Sequence, residues 1–308
     1  MLLYHKHKSV LLEESIKYLI NKKNGIYVDA TFGGGGHSKK ILKNINKDGK
    51  LFSFDQDIES IKNNNITDKR LKLFHQNFRF IKNVLNLYNI FSISGILVDL
   101  GVSYHQFDSY YRGFSIRYNN ELDMRMNTLS DFTAKDIIDN YSFNSLNKIF
   151  YKYGDLKNSK YISKNIIKER YNIKKTFDII KLFNKNKKNN KKKFFSKKKI
   201  KFFSKIFQSI RIEVNDEINC LKDLLYNSMD MLEKNGRIVV ISYHSVEDRI
   251  VKNFLKTGSF DGKYKKNFFG KIKINFKLPK KKIIYPSNEE IKNNPRSRSA
   301  KLRWGEKI

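Results

Sequence analysis

The stretch Gly25-Ile-Tyr-Val-Asp-Ala-Thr-Phe-Gly-Gly-Gly-Gly-His-Ser38 decides how the rest of the chain is read. Ile26, Tyr27 and Val28 are β-branched or aromatic and suit a short strand buried on both faces. Asp29 to Phe32 leave that strand, and four glycines, Gly33 to Gly36, follow at once. Ser38 then opens a segment in which Ile41, Leu42 and Ile45 recur at helical spacing. Strand, glycine loop and helix form the first βα unit of a nucleotide-binding α/β domain. Glycine there lets the backbone turn tightly and come close to a ligand. Serine stands at Ser38 in place of the third glycine of a strict G-x-G-x-x-G, so the loop alone also fits a tight turn. A second strand-like run, Leu51-Phe-Ser-Phe-Asp55, ends in a carboxylate about 20 residues beyond the loop, where an acid binds both hydroxyls of a ribose. A helix cap or a solvated acid is the other reading of Asp55. Loop and acid together point to a nucleoside-type cofactor.

Outward from this unit the alternation continues. Val10, Leu11, Ser15, Ile16 and Leu19 pattern an amphipathic helix behind the polar His5-Lys-His-Lys8, which reads as a solvated leader. Leu71–His75 reads as a third strand, Gly95–Gly101 as a fourth, and Phe80–Leu87 as a helix between them. Strands alternating with helices predict a parallel, doubly wound sheet. After Gly101 the alternation stops, and Thr133–Tyr141, Ser145–Tyr153 and Ser159–Tyr171 are helical in pattern. A helical domain is therefore inserted into the sheet. It ends in Asn184–Lys205, a lysine- and asparagine-rich run carrying Phe194, Phe195, Phe202 and Phe203. That run reads as a disordered, solvated linker, or else as an RNA-contacting arm whose lysines meet phosphates and whose rings stack on bases. The sheet resumes with a helix at Ile218–Leu232, a strand at Arg237–Ser242, and an edge strand at Lys271–Lys277 with Ala300–Trp304 beside it. The expected division is 1–107 and 206–308 for the sheet domain, with 108–205 as the insert.

The chain has 308 residues with 63 Lys+Arg against 30 Asp+Glu, a formal charge of +33 that predicts a polyanionic partner. Heavy use of lysine, asparagine and isoleucine, as an AT-rich genome imposes, accounts for part of that charge. Cys220 is the only cysteine, which excludes an internal disulfide and a multi-cysteine zinc site. The histidines show no metal-ligand spacing beyond His5/His7, so no metal is expected. No signal-peptide core and no apolar run of membrane-spanning length is seen, so a soluble, cytoplasmic protein is expected. The absence of a G-x-x-x-x-G-K-[ST] loop argues against ATP hydrolysis.

Ligands in open α/β sheets bind beyond the carboxyl ends of the strands. The glycine loop, Asp55, Phe78 and the stretch from Asp99 to Gln106 converge there. Phe78 offers a flat face to an adenine, or else is a core residue; Asp99 is a site acid or a cap.

Seven stretches, Gly25–Ser38, Asp99–Gln106, Arg112–Ser115, Leu122–Met126, Phe207–Asn215, Ile241–Arg249 and Asn294–Ala300, resemble the successive signatures of one family. It is the RsmH (MraW) family of bacterial 16S ribosomal RNA cytosine-N4 methyltransferases, matched in order from His7 to Glu306. The resemblance implies a class I S-adenosylmethionine-dependent methyltransferase fold, Rossmann-like and mostly parallel, with an all-helical insert that helps hold RNA. It implies S-adenosylmethionine on Gly35, Gly36, His37, Asp55, Phe78, Asp99 and Gln106. The substrate implied is a cytosine in the decoding region of 16S rRNA, within the small ribosomal subunit; a homodimer stays open. Two departures stand out. Tyr104-His105 replace the family's Ser-Pro before the glutamine, and the lysine run replaces its basic stretch before Phe207.

Cytosine N4 is a weak nucleophile, and an acceptor that orients its amino group raises its reactivity by positioning. Asp99, or the stretch beginning at Ser103, is the expected acceptor. Tyr243 and His244 are expected to line the base pocket, or else to pack and cap the next helix. Arg296 and Arg298, with Arg303, suit phosphate contacts, or else pair with internal acids. Arg112, Asp123 and Arg125 are expected to fix loops. Two other readings remain: a catalytically inactive RNA-binding or ribosome-assembly protein, and an N4-cytosine DNA methyltransferase. The latter's Pro-Pro-aromatic tetrapeptide is absent from Asp99–Gln106.

Overall fold

The structure is a computed structural model that describes residues 9–103, 106–107, 109, 111–184, 196–264 and 274–308. His5, His7, Tyr104, His105, Phe194 and Phe195 lie outside the described residues. The chain forms two compact units, one of residues up to 101 together with 218–308, the other of 102–217.

The first unit is built on a seven-stranded sheet. Its central strand β1 (Ile26–Asp29) buries Tyr27 and Val28 completely. It pairs in parallel with β2 (Lys50–Asp55) on one side and β4 (Ile93–Asp99) on the other. β3 (Leu71–His75) lies beyond β2, and β5 (Leu232–Ser242) beyond β4, again parallel. β7 (Lys301–Lys307) runs antiparallel between β5 and the short β6 (Phe276–Lys277), giving the order β3-β2-β1-β4-β5-β7-β6. The chain thus moves outward from β1 to β3 and then returns to β4 on the opposite side of β1. This reversal opens a crevice above the carboxyl ends of β1 and β4. Four helices belong to this half: α1 (Leu12–Leu19), α2 (Gly36–Asn44), α3 (Ile58–Lys62) and α4 (Ile81–Leu87). Leu19 of α1 and Ile41 of α2 pack with Tyr27, Leu97 and Val239 of the sheet in one apolar core.

Strand limits differ from the sequence reading in three places. The fourth strand ends at Asp99, because Gly101 turns away with φ of +100°. The fifth begins at Leu232 and not at Arg237, since Asn235 (φ +65°) and Gly236 are carried in an irregularity of its pairing with β4 between Ile93 and Gly95. The expected edge strand at Lys271–Lys277 is seen, within the described residues, only at Phe276–Lys277.

The second unit holds α5 (Ala134–Asn140), α6 (Phe143–Gly154), α7 (Ser159–Glu169), α8 (Thr176–Leu182) and α9 (Lys197–Val214). Thr133 and Asp136 form a capping box that starts α5. Its core gathers Phe150, Ile162, Ile166, Phe203, Ile206 and Ile210. Val102 and Phe107 pack on that core from one end of the segment and Val214 from the other, so the unit extends past the expected 108–205 on both sides. The lysine run departs from its expected form. Residues 197–205 are the first half of α9 and not a linker; Phe203 is 4% exposed, and Phe202 meets Phe183 edge-on at 5.8 Å. Phe202, Phe203, Ile206 and Ile210 follow helical spacing, and the surrounding lysines hid that period. The Phe203 ring is not available to stack on a base.

The chain returns to the first unit through α10 (Glu217–Met231), α11 (Ser245–Thr257) and α12 (Asn288–Asn293). No helix among the described residues is long and apolar enough to cross a membrane.

Burial of Phe203 predicts that Phe203→Ala costs about 3–5 kcal/mol, the usual range for a core phenylalanine. Urea denaturation followed by far-UV circular dichroism measures this. A loss under about 0.5 kcal/mol, typical of a surface change, would contradict the packing.

Candidate functional site

Three neighbouring parallel strands, β1, β2 and β4, each end in an aspartate: Asp29, Asp55 and Asp99. The loop after β1 is pinned to both neighbours. Ala30 N–H donates to the Leu97 carbonyl of β4, and Phe32 N–H to the Phe54 carbonyl of β2, each at 2.8 Å. Thr31 Oγ1 accepts the Asp99 backbone N–H at 2.7 Å. The glycine loop then doubles back, and Gly33 N–H donates to Asp55 Oδ2 at 2.7 Å. Gly35 occupies the left-handed region (φ +72°), and a Cβ there would stand 2.8 Å from the Phe32 ring. At Gly36, which opens α2, a side chain would strike Ser9 Oγ. Packing against the N-terminal segment therefore favours glycine at 36, beside the ligand approach that the sequence suggested.

All three aspartates hold protons more tightly than usual. Burial pushes Asp55 up to about 6, against the opposing hydrogen bonds from the Asp57 and Gly33 N–H groups. Burial likewise pushes Asp29 up to about 6, although Ser38 Oγ donates to it at 2.6 Å and Thr31 N–H at 3.2 Å. Asp99 rises to about 7, through burial first, opposed by the Tyr243 hydroxyl, and then through the charges of Asp29, Glu247 and Glu290. The Tyr243 hydroxyl donates to Asp99 Oδ1 at 2.7 Å, and His37 Nδ1 stands 3.9 Å from Oδ2. His37 is buried, with Nε2 3.1 Å from the Val10 carbonyl; that contact puts a proton on Nε2 and turns Nδ1 toward Asp99.

The remaining candidates fall in several places. Phe78 begins a one-turn 3-10 helix (Phe78–Phe80) after β3 and is half-buried. Ser103 and Gln106 belong to the second unit. They bond reciprocally, Ser103 N–H to Gln106 Oε1 at 3.0 Å and Gln106 N–H to Ser103 Oγ at 3.2 Å. Tyr243 reaches the crevice through Asp99. His244 caps α11, its ring accepting from Glu247 N–H and standing 3.0 Å from the Glu247 carboxylate. Arg303 is buried against Asp248 at 2.7 Å, which makes it a structural residue. Arg296 is half-buried and Arg298 exposed on the 3-10 turn Pro295–Ser299. In the second unit, Arg112 is 1% exposed and donates to the Arg125 and Met126 carbonyls, while Arg125 pairs with Asp123 at 2.7 Å.

Sequence reading missed Asp29, Ser38 and Glu247 as parts of this cluster. Asp29 and Ser38 bracket the quoted loop, so a strand-ending acid facing a helix-opening serine was a signal in plain view. Glu247 was not flagged by any local pattern.

Comparison with known proteins gives a consistent picture. Residues 4–308 match the family model described as the MraW methylase family. A Karelsulcia muelleri protein named ribosomal RNA small subunit methyltransferase H is 54% identical over 303 residues, 98% of each chain. Proteins of the same name from Parabacteroides distasonis (45% over 303 residues, 98% of this chain and 97% of that one) and Flavobacterium psychrophilum (48% over 297 residues, 96% and 100%) are also similar.

The raised acids carry a sign for stability. Between about pH 4 and 7 the folded protein retains protons that the unfolded chain has released, so stability falls as pH rises through that window. Asp99→Asn removes one such group. In urea titrations it is expected to exceed the parent by about 1–3 kcal/mol at pH 8, with the gap shrinking toward pH 5. A variant less stable than the parent at pH 8 would contradict the electrostatics.

Proposed function

The chain belongs to the MraW methylase family, and from that premise we propose that it methylates N4 of a cytosine in the decoding region of small-subunit ribosomal RNA. S-adenosylmethionine is the cofactor, supplying an electrophilic methyl group on a sulfonium. The residues present fit it. Buried carboxylates with raised proton affinity gain most from a ligand that brings positive charge and hydroxyl donors. Asp55 already accepts from Gly33 and Asp57 N–H and from the Ser60 side chain, and what remains of its acceptor capacity suits a ribose hydroxyl. In this reading Gly35, Gly36 and His37 shape the crevice wall and Phe78 packs on the adenine. Gln106, assigned to the cofactor by resemblance, acts with Ser103 to hold the loop after β4.

The observation that carries the reading is the Tyr243–Asp99 pair at the end of β4. Tyr243 occupies one carboxylate oxygen and fixes the plane of the other. An ionised Asp99 then accepts a hydrogen bond from an exocyclic amino group and turns its lone pair toward the methyl carbon. The methylated nitrogen is cationic at first and sheds its proton readily, so Asp99 positions the amine and no strong base is needed. The base must leave any stack to reach the crevice. Lys160, Lys164 and Lys168, exposed along α7, and Arg298 supply cations for RNA phosphates. An RNA substrate of this kind places the reaction in the cytoplasm.

A chain that only bound RNA would be stabilised by losing its buried acids, and for that reason the inactive-assembly reading is the weaker one.

Purified protein, S-adenosylmethionine and unmodified small subunits, followed by digestion to nucleosides and mass spectrometry, should yield N4-methylcytidine. Asp99→Asn, whose amide can present a donor where an acceptor is needed, is expected to slow single turnover about 100-fold or more when measured at saturating cofactor. A methyl group on another atom, or equal transfer to DNA, would overturn the proposal.

A further inference from the structure

The one-turn helix that begins at Phe78 carries Arg79 and Phe80 next in line, and these belong to a different surface. The turn Phe78–Phe80 and α4 are joined to α10 by Arg79–Asp223 at 2.6 Å and Lys82–Asp230 at 2.7 Å. Between them runs an open groove of about 410 Å³. Three aromatic rings border it. Phe80 is 45% and Tyr226 60% exposed, while Phe260 is held in place by stacking on the core ring of Phe254 at 5.2 Å. The Lys222 ammonium stands over the Phe260 ring, 5.7 Å from its centre.

The polar groups of the groove point to one ligand class. The side chains of Asn83, Asn227, Tyr226 and Lys222 have no hydrogen-bonding or ion-pair partner among the described residues. Amides donate and accept as the edges of nucleobases do, and an ammonium without a carboxylate partner suits a phosphate. The one acid in the wall, Asp223, is already neutralised by Arg79 in a two-point contact, so it does not repel an anion. The volume falls in the range of small-ligand sites and suits a single nucleotide. Flat exposed rings beside an unneutralised lysine, in a chain of charge +33, are the elements of a single-strand stacking platform.

We infer that this groove takes one unpaired nucleotide of single-stranded RNA, its base against Phe80 and Tyr226, its edge to Asn83 or Asn227, and its phosphate at Lys222. The inference rests on the RNA-methylating reading and adds a second point of RNA contact, apart from the crevice. It would let the enzyme hold the strand beside the target base while that base is turned out.

The test uses the full chain and a short fluorescein-labelled single-stranded ribooligonucleotide, followed by anisotropy at several salt concentrations up to about 0.3 M, where phosphate contacts are largely screened. Tyr226→Ala and Phe80→Ala are expected to weaken binding about tenfold each at the highest salt. Lys222→Gln is expected to lower the slope of log affinity against log salt by about 0.7. S-adenosylmethionine titration of the same variants should match the parent, which shows that they fold. Parental affinity and salt slope in all three variants would overturn the inference. Failure of the parent protein to methylate small subunits is a separate result. It would overturn the function proposed above and leave the oligonucleotide comparison to stand or fall by itself.

Discussion

Asp29, Asp55 and Asp99 end three adjacent strands, Asp29 fully buried and the other two half-buried, and the surroundings of the crevice are arranged around that fact. A buried carboxylate must be hydrogen-bonded, protonated or paired with a cation. Ser38 and the Thr31 N–H serve Asp29, the Gly33 and Asp57 N–H groups serve Asp55, and the Tyr243 hydroxyl serves Asp99. None of these partners is cationic, and burial prevails over them in each case. The site is thus left electrostatically incomplete in a manner that a cationic, hydroxyl-bearing cofactor completes. The Gly33–Asp55 bond also fixes the glycine loop, which the Ala30 and Phe32 N–H groups tie to both neighbours of β1, so an acid that costs stability also organises the loop that shapes the crevice.

The contrast with the rest of the molecule is one of sign. The chain carries +33 overall, yet the crevice gathers Asp29, Asp99, Glu247 and Glu290 within mutual influence. An acidic interior suits a small cation, and a basic exterior suits a polyanion. On the helical unit, lysines at 160, 164 and 168 form one solvent-facing row over an independent apolar core. Each charge region therefore has its own structural support, and drift in surface lysines leaves the crevice untouched.

Much of the sheet was legible in the sequence because its signals are local. Strands β1, β2 and β3 announce themselves by short β-branched or aromatic runs, and Asp55 and Asp99 stand at strand ends where their spacing placed them. What escaped was either hidden by composition or distant in sequence. Phe202 and Phe203 follow a helical period, but a lysine- and asparagine-rich background reads as solvated chain, and α9 was lost in it. The Tyr243–Asp99 bond joins residues 144 apart, and Glu290 meets Leu11 N–H across 279 residues. Such pairings depend on strand order, in particular on β5 lying beside β4, which local patterns do not encode. The Ser103–Gln106 pair is local, an i, i+3 reciprocal bond, yet the sequence reading gave each of the two a separate role.

Cofactor binding completes a set of partly protonated acids. Calorimetric titration with S-adenosylmethionine at pH 6.5, in two buffers of different ionisation enthalpy, measures it directly. Between the parent and Asp99→Asn, the ligand's own titration cancels. The parent is predicted to release more protons than the variant on binding, and the advantage should disappear by pH 8, where Asp99 is already ionised. Equal proton release by both proteins at pH 6.5, with binding intact, would contradict the claim that Asp99 titrates in the crevice and loses its proton when the cofactor binds.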